Sequence, residues 1–182
     1  MVARGAFAIK VMVLPAAIAA LLCGCQTVHE AASRRVGQAA LDLSDGTPVG
    51  SARVLQSGDE ISLSLTLTGV EEGAHGLHLH AIGSCEAPDF TSAGAHLNPA
   101  DRQHGFENPK GAHLGDLPNA VVGGSGAGTV SALLPGAPQE VLSEIFDADG
   151  TAILVYAEAD DNRSDPAGNS GGRIACGVLV RG

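Results

Sequence analysis

Six side chains in this chain of 182 residues have the types and spacing to hold metal ions. His78 and His80 form an H-x-H. On a β-strand, residues two apart face the same side, about 6.5–7 Å apart along the chain, so two imidazoles there can grip one ion. Surface pairs of this kind also occur by chance, and the pair alone does not separate the two readings. His96, His104, His113 and Asp116 follow at spacings of eight, nine and three residues. Those gaps are too wide for one helix face and suit a loop wrapped around an ion. Three imidazoles and a carboxylate make a closed tetrahedral zinc site with no position left for water, the form of a structural zinc. The alternative is a set of solvated loop histidines.

The elements that must position these residues read as all-β. Segments 39–43, 48–55 and 61–67 are short alternating runs, the last strictly apolar then polar, which describes a half-buried strand. Segments 76–82, 126–134, 152–157 and 174–180 are further strands, separated by Gly, Pro, Asn and Asp clusters. Short strands with frequent turn signals predict a sandwich or barrel. No long amphipathic helix stands out. Segments 83–125 and 158–172 lack strand character and are rich in Gly, Asn and Asp or His. Long loops of this kind in one domain are usually functional or disordered, and the histidines favour function.

The N-terminus reads as an export signal. Arg4 and Lys10 precede an apolar run, 11–22, and the sequence Leu22-Cys23-Gly24-Cys25 closes it. The run is short for a spanning helix, which needs about 20 apolar residues; a retained membrane anchor is the alternative. Leu-x-Gly-Cys resembles a bacterial lipobox, implying cleavage before Cys25, acylation of its thiol and, with Gln26 next, an outer-membrane location facing the periplasm. The expected organisation is a signal peptide at 1–24, a lipidated tether at 25–36 and one domain at 37–182. The full chain carries a net charge of −10, and loss of Arg4 and Lys10 makes it −12. That excess argues against nucleic acid and against charge-driven binding to anionic lipid. Of the four cysteines, Cys23 leaves with the signal and Cys25 takes lipid, so Cys85 and Cys176 are expected to pair, as an exported protein permits, with two buried free thiols as the alternative.

Longer motifs surround the histidines. Gly76-Leu-His78-Leu-His80-Ala-Ile-Gly83-Ser-Cys85, Ser92-Ala-Gly94-Ala-His96-Leu-Asn98-Pro99, Gln103-His104-Gly105 and His113-Leu-Gly115-Asp116-Leu occur in that order. Gly168-Asn-Ser-Gly-Gly-Arg173-Ile-Ala-Cys176-Gly177 follows. Together they resemble the copper/zinc superoxide dismutase family, over about Gly37 to Val180, in its bacterial form. The resemblance implies a Greek-key β-sandwich or flattened barrel with two long functional loops. It implies copper on His78, His80 and His96, and zinc on His96, His104, His113 and Asp116, with His96 shared between the ions. It implies that Asp160 joins a copper histidine to a zinc histidine and so fixes ring orientation. It also implies a Cys85–Cys176 disulfide, Arg173 attracting superoxide beside the open copper position, and a structural role for His75.

One position departs. The family places a fourth copper ligand, a histidine, just before an Ala-Asp-Asp run, and here Tyr156 stands there, in Leu154-Val155-Tyr156-Ala157-Glu158-Ala159-Asp160-Asp161. In the family's cycle the shared histidine leaves reduced copper, which three others then hold; in this chain only His78 and His80 remain. Phenol has a pKa near 10 and suits Cu(II) better than Cu(I). Weakened copper binding and slower cycling are therefore expected if Tyr156 reaches the metal, and a three-histidine copper site if it points into the core. Arg173 and Arg163 are the cations of the final loop, among Glu158, Asp161 and Asp165. Two functions follow from the resemblance: dismutation of superoxide, and metal buffering or carriage without catalysis. The sequence leaves oligomeric state open, a homodimer included.

Overall fold

Each apolar residue of the alternating run 61–67 (Ile61, Leu63, Leu65 and Leu67) is fully buried in the computed structural model. That model describes residues 32–182. The expected signal peptide and Cys25 lie outside the described residues. In chain order the elements are β1 (Arg34–Leu43), β2 (Pro48–Ser57), β3 (Glu60–Thr68), β4 (Gly73–His75), β5 (Leu77–His80), β6 (Ala120–Val122), β7 (Ala127–Leu134), α1 (Pro138–Ile145), β8 (Ala152–Tyr156), β9 (Arg173–Val178) and β10 (Val180–Arg181).

The strands pair antiparallel in the order β4-β6-β7-β3-β2-β1-β9-β8-β5, with β10 on β1. The two end strands of this path, β4 and β5, are consecutive in the chain and separated by Gly76 alone. One run, 73–80, therefore pairs with β6 at one end and β8 at the other, and the sheet curls into a nearly closed Greek-key barrel. Closure removes the exposed edges that invite aggregation. Among the described residues, no helix is long and apolar enough to cross a membrane.

Several elements differ from the sequence reading. β1 begins at Arg34, so residues 34–36, assigned to the tether, are part of the barrel. β4 and β6 have three residues each, too few for alternation to register. The helix α1 is two turns long; it opens on Pro138, whose fixed φ suits a helix start, and buries Val141 and Ile145.

The wall that matters for the site is β5–β8. Leu77 pairs with Val155 and Leu79 with Ile153, and these four point into the main core. The intervening His78 pairs with Leu154 and His80 with Ala152, so they face outward. Outward does not mean exposed here. The loop after β5 folds back over this face, and Phe90 and Ala93 pack with Ala152, Leu154, Tyr156 and Cys176 in a second apolar cluster. Every residue of β5 and β8 is buried as a result.

Candidate metal centre

The returning loop hydrogen-bonds to the outer side of β5. Leu79 donates to Gly115 O at 2.8 Å, Leu97 donates to Leu79 O at 2.8 Å and Leu117 donates to Leu77 O at 3.2 Å. These bonds set His96 and Asp116 against the histidines of β5. Ligand atoms of His78, His96, His104 and Asp116 all lie within 4.8 Å of one another.

Asp116 is aimed by the backbone. Its Oδ2 accepts from the N–H groups of Gly105 at 2.9 Å and His113 at 3.0 Å. Its Oδ1 then faces Nδ1 of His96, His104 and His113, each at 3.0 Å, and His96 and His113 Nδ1 lie 3.4 Å apart. Two of these rings have their other nitrogen engaged. His113 Nε2 donates to Arg102 O at 3.1 Å, and a carbonyl only accepts. His104 Nε2 donates to Asp160 Oδ1 at 3.0 Å. With each Nε2 engaged, both rings turn Nδ1 toward the same carboxylate oxygen, where either a proton or a metal ion can bridge nitrogen and oxygen. Ligands about 2.0–2.1 Å from a tetrahedral zinc stand roughly 3.3 Å apart, close to the separations seen here.

Asp160 fastens this cluster to the strand pair. Its Oδ2 accepts from His78 Nε2 at 2.8 Å, while Oδ1 accepts from His104 Nε2. Asn119, which the sequence reading did not single out, holds the Asp160 backbone from both sides: its Oδ1 accepts the Asp160 N–H at 2.8 Å and its Nδ2 donates to the Asp160 carbonyl at 2.9 Å. A loop asparagine carries no periodic signal that could have marked it. Gly168 has φ of 62°, and a Cβ there would overlap the Asp160 carboxylate.

With His78 Nε2 engaged, its Nδ1 is a buried lone pair with no partner, and His96 Nε2 is another. His80 Nδ1 donates to Gly94 O at 2.9 Å, leaving its Nε2 as an acceptor. The Tyr156 hydroxyl donates to that Nε2 at 3.1 Å. Tyr156 is buried, and its phenol is turned to the histidines rather than into the barrel core. The ring of His78 stacks on His96 with centroids 4.0 Å apart and meets Tyr156 edge-on at 5.0 Å. His75 stays apart from this group, its two ring nitrogens bonded to Tyr156 O at 2.8 Å and Glu71 O at 3.0 Å.

The electrostatics divide the rings into two kinds. Burial, with the neighbouring His96, lowers the His80 pKa to about 3. Burial lowers His96 to about 4 despite the Asp116 carboxylate, and it lowers His78 despite Asp160. Burial also acts on His104, but the Asp116 and Asp160 carboxylates outweigh it and raise that ring to about 9. Burial works against ionisation of both carboxylates, yet hydrogen bonds from the histidines and backbone hold them well below the ordinary range. The Tyr156 phenol is raised by burial, with Arg173 opposing.

Arg173 pairs with Tyr156 across β8 and β9, next to a register shift between Val155 and Tyr156. Its guanidinium donates to Phe90 O at 2.6 Å and Gly94 O at 2.8 Å. A pocket of about 330 Å³ opens beside it, lined by His96, Asn98, Tyr156, Asp165 and Pro166 among others. Arg163 is not part of that lining; it pairs with Glu107 at 2.7 Å on the surface. The loop carrying Phe90 is tied to β9 by a disulfide between Cys85 and Cys176.

The family model for copper/zinc superoxide dismutase matches residues 49–179. The chain belongs to the copper/zinc superoxide dismutase family. It is 41% identical over 143 residues to the superoxide dismutase-like protein YojM of Bacillus subtilis, covering 75% of this chain and 71% of that one. It is 37% identical over 137 residues to superoxide dismutase [Cu-Zn] 1 of Aquifex aeolicus, covering 74% and 81%. The crystal structure of a SOD-like protein from Bacillus subtilis matches with a TM-score of 0.74 at 36% identity, over 81% of this chain and all of that one.

Copper and zinc are the cofactors this family implies. The donor set fits them. The Asp116 group offers three imidazole nitrogens and a carboxylate at tetrahedral spacing, the preference of zinc. His78 and His96 keep unpartnered nitrogens, the His80 ring lies 4.9 Å from that of His96 between centroids, and imidazole suits copper. His96 turns one nitrogen to each group.

Proposed function

We propose that the chain is a superoxide dismutase, converting two superoxide anions and two protons to oxygen and hydrogen peroxide, and that Tyr156 slows it below the rate of its family. The observation that carries this reading is the pair of buried, partnerless nitrogens, His78 Nδ1 and His96 Nε2. Leaving such groups unsatisfied costs about 1–3 kcal/mol each, so they are kept for a ligand. His78, His80 and His96 would hold copper; His96, His104, His113 and Asp116 would hold zinc. Copper, when bound, supplies the one-electron oxidation and reduction that dismutation needs.

This chain's own residues do the rest. Asp160 orients His78 and His104 together, so the two sites are built as one unit. Arg173, pinned by two carbonyls, presents its charge to an anion entering the pocket beside Tyr156. Its field acts against a chain of net charge −10, and distant charges are screened beyond about 8 Å in physiological salt. The protein would work on the periplasmic side of an outer membrane, anchored through lipid on Cys25.

A second reading, metal buffering or carriage without turnover, is favoured by one observation: the Tyr156 hydroxyl occupies the His80 nitrogen that copper would need. Metal analysis with a superoxide-consumption assay on the purified protein separates the two. One copper and one zinc per chain with copper-dependent superoxide loss supports dismutation. Bound metals with no superoxide loss supports buffering. Loss of membrane fractionation in Cys25→Ser supports the anchor.

A further inference from the structure

Tyr156 stands where its family has an imidazole, and the geometry around its hydroxyl says more than that a ligand is missing. The phenol oxygen lies 3.1 Å from His80 Nε2. In the Asp116 group of the same protein, donors that converge on one point are separated by 3.0 to 3.4 Å. Two atoms bound to one ion at about 2.0–2.1 Å take that same spacing. The distance that now reads as a hydrogen bond is therefore also the spacing of two ligands on a shared ion.

The surrounding contacts keep the oxygen in that place. The Tyr156 ring meets His78 edge-on at 5.0 Å and is held in the cluster with Phe90 and Leu154. His80 is fixed from behind by Gly94 O, so its lone pair cannot turn away. The Arg173 guanidinium lines the same pocket and offsets the charge that a phenolate would bring.

We infer that Tyr156 is itself a copper ligand, its oxygen completing a donor set of His78 Nδ1, His80 Nε2 and His96 Nε2, and that the site thereby prefers Cu(II) to Cu(I). This rests on the reading of the chain as a copper protein of its family. The Tyr156–His80 hydrogen bond is then the resting state of a ligand pair: as the ion enters, the phenol O–H bond breaks, its proton leaves to solvent, and the phenolate oxygen and His80 Nε2 would each bind the ion. Hard oxygen donors favour the oxidised ion, so the cost of the substitution falls on the reduced state rather than on copper capture.

The chain offers an unusually clean test, because Tyr156 is its single tyrosine and it has no tryptophan. Zinc-loaded protein is titrated with Cu(II) and followed by visible absorption, resonance Raman and electron paramagnetic resonance. The expected result is one equivalent bound with an intense phenolate-to-copper charge-transfer band. Excitation in that band should enhance phenolate ring modes, and both signals should vanish in Tyr156→Phe, which keeps the packed ring. The reduction potential should lie below that of Tyr156→His. Copper bound without the band, or a band that survives in Tyr156→Phe, overturns the inference and leaves the proposed function standing. No copper bound in the presence of zinc overturns both.

Discussion

The Tyr156 hydroxyl donates to Nε2 of His80 at 3.1 Å, across 76 positions of sequence and along the outer face of one strand pair. β8 carries Tyr156 two residues beyond Leu154, the partner of His78, so the phenol leans over the His78 ring to reach His80. The phenol and the rings of His78 and His80 thus meet on one buried face of the strand pair.

Tyr156→His should raise superoxide consumption by the metal-loaded protein by at least about tenfold, equivalent to about 1.4 kcal/mol of barrier. Pulse radiolysis on matched, fully loaded samples checks it. An unchanged rate would place the defect elsewhere, for example in the acidic final loop.

Asp160→Asn should weaken both metals. The asparagine can accept one ring N–H but cannot serve His78 and His104 together as a carboxylate does. Partners that orient metal-bound histidines are worth about 10–100-fold in affinity. Competition with a chelator should show a loss of that size for copper and for zinc.

Asp116→Ala should act more severely and on zinc first. It removes the oxygen on which three imidazoles converge. Zinc should dialyse away, and the thermal midpoint of the zinc-treated protein should fall to that of the chelator-treated wild type.

Replacing Cys85 with serine should destabilise the fold. The closed loop spans 91 positions, for which the chain-entropy account gives about 4–5 kcal/mol. Urea unfolding measures it. Arg173 should also lose its anchorage, since Phe90 O and Gly94 O lie in the loop that the disulfide holds.

Metal-free protein should be most stable near pH 6.5 and lose stability on either side. His104, raised to about 9, contributes stability that is full below its unfolded value of about 6.5 and is lost as pH rises through 9. His80 and His96, lowered to about 3 and 4, contribute stability present above about 6.5 and lost as pH falls toward those values. Thermal melts of chelator-treated protein from pH 4 to 9 should trace this maximum. Bound metal should flatten the alkaline limb, because the ion replaces the proton on His104.

Much of this was legible in one dimension. The period-2 run at 61–67 declared a half-buried strand, and the structure buries each of its apolar residues. The H-x-H spacing placed His78 and His80 on one face, which the pairing with Leu154 and Ala152 bears out. Motif order identified the family and the disulfide. The three-residue strands and the two-turn helix were not legible, because so few residues cannot display a period. Arg163 stood beside Arg173 as a cation of the final loop, yet Glu107, 56 positions away, takes it.

Residue type and spacing alone determined which imidazoles and carboxylate this protein can offer to metal, and the resemblance to its family marked the phenol of Tyr156 as a departure. Only the tertiary structure decided where that phenol points and which ring nitrogen each histidine leaves free. Those choices depend on carbonyls and carboxylates brought from distant segments: Gly94 for His80, Asp160 for His78, Arg102 for His113. A ring has two nitrogens, and which one is left for a ligand is settled by what holds the other, which no local pattern encodes.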